Sequence, residues 1–61
     1  MATLTAKELS SLQDQLDYEK LLVKKYKAYA CQLEDPQIKS KCEQIAGRHQ
    51  SHYNRLLNQL N

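Results

Sequence analysis

The sequence predicts an all-α fold: an antiparallel two-helix hairpin, two copies of which pack as a four-helix bundle. Three observations carry this expectation. Thr5-Ala6-Lys7-Glu8 is a capping box. Asp35-Pro36 is a second helix start. Apolar residues recur at alternating steps of three and four on both sides of that pair, the period of shallow left-handed bundle packing.

The first helix starts at about residue 6. The Thr5 hydroxyl can accept the Glu8 backbone N–H while the Glu8 carboxylate reaches back to Thr5, and Leu4 and Leu9 stand at the two hydrophobic-staple positions. No Gly or Pro interrupts the chain before Pro36, so the helix is expected over about 6–33. The turn is expected at about 34–35. Asp35 then serves as N-cap and Pro36 as first helical residue of a second helix over about 36–60, in which Gly47 is the only weak position. A link this short makes the helices antiparallel neighbours, and the whole of 1–61 reads as a single hairpin domain.

The stripes are explicit. The first helix places Leu9, Leu12, Leu16, Glu19, Val23, Tyr26, Ala30 and Leu33 on its seam. The second places Ile38, Cys42, Ile45, His49, His52 and Leu56 there. Leu22, Tyr29, Ala46, Tyr53 and Leu60 widen both stripes beyond a two-stranded seam, and a wide stripe calls for more than one neighbouring helix. A homodimer with two-fold symmetry supplies the missing neighbours.

Composition narrows the function classes. With 61 residues the chain is marginal on its own and needs a staple or a partner. Two cysteines exclude a disulfide-dense scaffold, and one glycine leaves no phosphate-cradling loop. No apolar run approaches the ~18 residues of a membrane span, so no membrane partner is expected. The start MATLTAKELS lacks a charged-then-apolar leader pattern, and cytoplasmic synthesis with reduced thiols is expected. Cys31 points to the outside of the first helix and Cys42 inward, so both read as free thiols.

Glu19, His49 and His52 are the only polar residues on the seams. Glu19 lies about 15 residues before the turn and the histidines about 15 and 18 after it. At ~1.5 Å rise per residue, all three fall at nearly one level of an antiparallel hairpin. Two readings stand. One is a metal site, since imidazole and carboxylate suit Zn, Fe or Mn. The other is a hydrogen-bonded polar layer that fixes register, with Glu19 accepting from a histidine, Tyr26 or Tyr53.

The pattern Glu19…Tyr26…Tyr29-Ala30…Asp35-Pro36…Ile45-Ala46-x-x-His49-x-x-His52 resembles the ferritin-like superfamily, and within it the short spore coat protein F family. The likeness spans about Leu9 to Leu60. It implies a ferritin-like four-helix bundle, here from two chains, and a role in spore coat assembly beside other coat proteins. In ferritin-like di-iron proteins each half-bundle supplies one Glu and then a Glu-x-x-His. Glu19 matches the first Glu and His52 the His, whereas His49 stands where the second Glu would be. Without the bridging carboxylates, oxygen chemistry is not implied.

A reading from another class is an RNA-binding dimeric hairpin. Lys20, Lys24, Lys25 and Lys27 form a basic run near Tyr26 and Tyr29. The net charge is only +2, and Tyr26 sits on the packing seam, so the run reads as a solvated face and no nucleic-acid partner is expected. No arrangement of nucleophile, base and orienting group is present, and catalysis is not expected. Leu21 and Ala28 on one outer face, with Ser40, Gly47 and Ser51 on the other, offer surfaces for lateral packing of dimers.

Overall fold

The computed structural model describes residues 3–60, so the single-domain reading of 1–61 includes positions 1, 2 and 61 that lie outside the described residues. Two helices make up the architecture: α1 (Ala6–Gln32) and α2 (Pro36–Asn58), joined by residues 33–35 and packed against each other along their length. No strand occurs among the described residues.

Both helix starts are built by side chains. Thr5 is extended (φ −72°, ψ 163°), and its hydroxyl oxygen accepts the Glu8 N–H at 3.0 Å. The Glu8 carboxylate accepts the Thr5 N–H at 3.1 Å, closing the box and satisfying donors that the first turn leaves free. That backbone N–H first, and the Thr5 hydroxyl second, hold the Glu8 carboxyl below the usual carboxylate range. A lowered carboxyl contributes its stability above the unfolded-state pKa and loses it as acid protonates it, so this cap weakens at low pH. At the second start, Asp35 Oδ1 accepts from Gln37 N at 2.9 Å and Ile38 N at 3.3 Å. Pro36 forbids Asp35 the helical backbone, and Asp35 is extended at ψ 116°.

Both helix ends lie within two residues of the sequence expectation. α1 stops at Gln32 rather than at about 33: Leu33 turns to extended backbone (ψ 138°) while its N–H still reaches Tyr29 O at 3.0 Å. The turn therefore has three residues. α2 stops at Asn58 rather than at about 60. The Gln59 and Leu60 N–H groups bond to Leu56 O and Leu57 O, each at 3.1 Å, three residues back. This is the tightening by which a helix end with no capping glycine satisfies its last carbonyls.

The core is thin. Leu12, Leu16, Val23 and Ala30 from α1 meet Cys42 and Ala46 from α2, and no large side chain is completely enclosed. Leu9 remains 48% exposed and Ile38 50%, although both stand on the seam. The Cα framework measures 46 × 16 × 10 Å, a single layer of two helices. Its radius of gyration is 14.4 Å, against about 10.5 Å for a compact domain of this length. A stable core normally lies between two layers, and a lone hairpin provides one. Cys31 is exposed and Cys42 buried, and both are free thiols.

Gly47 lies inside α2, and a Cβ built there meets nothing within 4 Å. Gly47→Ala should therefore stabilise the hairpin by about 0.5–1 kcal/mol, through helix propensity alone. Thermal unfolding of the two chains side by side checks this. A loss of stability would mean that another surface packs closely on this face.

Candidate functional site

α1 and α2 run antiparallel, so residues equally far from the turn share a level. That geometry places Glu19 beside His49 and His52. His49 Nδ1 lies 2.8 Å from Glu19 Oε2, a hydrogen bond between groups 30 positions apart. His52 Nδ1 lies 3.7 Å from the same oxygen. The Glu19 side chain is 16% exposed, that of His49 23% and that of His52 49%. His49 thus sits at the centre of the stripe and His52 at its edge, one helical turn further along the same face.

The chemistry of the pair settles the local roles. An ionised carboxylate only accepts, so a neutral His49 carries its proton on Nδ1 and donates it to Glu19, leaving Nε2 bare. Among the described residues, no buried side-chain polar atom lacks a partner. One donor atom from each of the three residues falls within 4.8 Å of the other two. Two imidazoles and a carboxylate form the donor set of borderline divalent metals, and the residues present fit such an ion.

The structure decides between the partners that the sequence left open for Glu19. His49 takes it. No hydrogen bond joins Tyr26 or Tyr53 to Glu19 among the described residues. Tyr26 instead lies nearly parallel to the His49 ring (centroids 6.1 Å apart, planes at 19°). Tyr29 meets Tyr26 edge-on at 5.8 Å, and His52 meets His49 edge-on at 5.7 Å. Four rings thus form one continuous file, which holds the His49 imidazole in place against the carboxylate. Sequence reasoning missed the stacking role of Tyr26. Its seam position, with His49 opposite across the hairpin, was the available signal.

The site opens on one side. A groove of about 310 Å³ lined by Gln15, Glu19, His52, Arg55, Leu56 and Gln59 runs from His52 to solvent. The basic run is placed elsewhere: Lys20, Lys24, Lys25 and Lys27 are all exposed. Two of the aromatics beside it have neighbours. Tyr26 packs on His49, and the Lys25 ammonium stands 5.8 Å from the Tyr29 ring centroid. Tyr18, two positions before Lys20, is 61% exposed, and Tyr29 is 41% exposed. Among the described residues, no helix is long and apolar enough to cross a membrane. Comparison with known protein families, with curated proteins and with solved structures gave no match to this chain.

Proposed function

We propose that the chain is a structural, non-catalytic module that acts by pairing with a second copy of itself into a four-helix bundle. One observation carries this reading. The hairpin exposes 5007 Å² of accessible surface, whereas a compact monomer of 7.1 kDa exposes about 4,100 Å². The surplus of roughly 900 Å² is close to the ~800 Å² that each partner contributes to a standard stable interface. The exposed part includes the seam side chains of Leu9 and Ile38. Leu9, Leu12, Leu16 and Leu60 line an open groove of about 380 Å³ at the end of the hairpin away from the turn. A second copy brings the same apolar stripe to that groove, as a two-fold interface requires.

The ferritin-like arrangement and the role in a spore coat rest on the residue resemblance alone. In that setting the dimers would pack sideways. The outer residues Leu21, Ala28, Ser40, Gly47 and Ser51 are all exposed and available for such contacts.

Sedimentation equilibrium tests both levels. At micromolar concentration the mass should be twice the 7.1 kDa of one chain, with a melting temperature that rises with protein concentration. At the highest concentrations it should grow further, through lateral contacts. A single-chain mass with a concentration-independent melt would overturn the dimer. A strictly dimeric mass throughout would overturn the lateral packing.

A further inference from the structure

We propose that Glu19, His49 and His52 form a mononuclear site for a borderline divalent metal ion of the zinc class, complete within one chain. All three donors come from a single hairpin, so no ligand is drawn from a second copy. Four features support it.

The first is donor spacing. Two ligands bound at ~2.1 Å to a tetrahedral ion lie about 3.4 Å apart. The 2.8 Å and 3.7 Å separations from Glu19 Oε2 to the two imidazoles bracket that value, and the three donor atoms already lie within 4.8 Å of one another, so side-chain adjustment of roughly an ångström brings them around an ion. The ion takes the place of the proton that His49 shares with Glu19, and the carboxylate neutralises half of its charge. The second is support. The rings of Tyr26 and His52 flank His49, and the stacking limits its rotation before any ion arrives. A preset donor loses less freedom on binding.

The third is access. His52 is half exposed at the mouth of the groove, so the ion enters past it, and its open coordination position faces water. Arg55 lines the same groove and opposes a cation, but its charge is screened where the groove meets solvent. The fourth is selectivity. Two nitrogens and one oxygen match zinc-type ions, whereas magnesium and calcium require an oxygen-rich shell that is absent from this cluster.

The test uses the full chain, purified without a histidine tag and stripped with chelator. Zn²⁺ is added in competition with a chromophoric chelator, and Co²⁺ is added as a spectroscopic probe. The expected result is one equivalent per chain and the intense visible absorption of a four-coordinate cobalt ion. His52→Ala alters a half-exposed position, so it should keep its helical circular dichroism while binding weakens on the order of 100-fold or more. Glu19→Gln preserves side-chain shape and should weaken binding in the same direction. Uptake by His52→Ala equal to that of the parent chain, or cobalt that keeps the pale spectrum of the hydrated ion, would overturn the site. Light scattering on the same samples keeps this result separate from the dimer: a single chain that binds one ion sinks only the dimer.

Discussion

Substituting lysine for both Leu9 and Ile38 should abolish the dimer while leaving an isolated hairpin almost untouched. The two side chains are 48% and 50% exposed in the hairpin, and substitutions at such positions normally change stability by no more than about 0.5 kcal/mol. On a self-pairing stripe the effect is different. Each lysine would bury an ammonium without a partner, and two-fold symmetry presents every substitution twice. A loss of only 4 kcal/mol of association free energy already weakens pairing about 1,000-fold. The double variant should therefore sediment as single chains at concentrations where the parent is dimeric. Because a 61-residue single layer is marginal alone, it should also lose its cooperative thermal transition. Leu21→Lys is the control. Leu21 is 59% exposed on the outer side of α1, and at micromolar concentration, below the range of lateral packing, its replacement should leave the dimer mass and melting unchanged. Equal, small effects of all three substitutions would remove the stripe as an interface.

Glu19→Leu should separate stability from binding. Glu19 is 16% exposed and its hydrogen bond comes from His49 at 2.8 Å. Deleting one member of a buried charge pair usually costs 3–5 kcal/mol, because the other charge is stranded. His49 escapes that penalty. At 23% exposure its ring N–H can reach water once the carboxylate is gone. Leucine also extends the apolar run from Leu16 to Val23 on the α1 seam. The expected outcome at neutral pH is a stability within about 1 kcal/mol of the parent, or above it, with the dimer mass retained. Zinc uptake should fall by two orders of magnitude or more. That combination marks a residue kept for binding rather than for folding. A drop in stability beyond about 3 kcal/mol would instead mark Glu19 as a structural partner whose loss the fold cannot absorb.

Much of the fold was legible because its signals are local. The Thr5–Glu8 box and the Asp35-Pro36 pair act within four residues of themselves, and both form with the expected partners. Helix ends were less legible. Leu33 turns extended three residues before Pro36, whereas Gln59 keeps αR backbone and its N–H bonds three residues back to Leu56 O, so the last turn is decided by competition among free carbonyls. The level of Glu19, His49 and His52 followed from counting residues from a short turn. Which group takes the Glu19 carboxylate did not. Tyr26, Tyr53 and His49 all stand at heights from which a reach was conceivable, and only side-chain direction and ring packing separate them.

The sequence by itself determined two helices, their starts, their antiparallel course and the three polar residues they carry at one level. Periodicity and capping are properties of the nearest few residues, and antiparallel pairing follows from a short turn. Only the tertiary structure decided that His49 hydrogen-bonds to Glu19 while Tyr26 stacks on its ring, and that His52 stands at an open groove. Those outcomes depend on distances of a few tenths of an ångström across the hairpin, set by how two helices of particular side-chain volume settle together. The thinness of the core belongs there too. The width of the apolar stripes was readable in the residues, but the surface left uncovered by two helices could be measured only once they were packed.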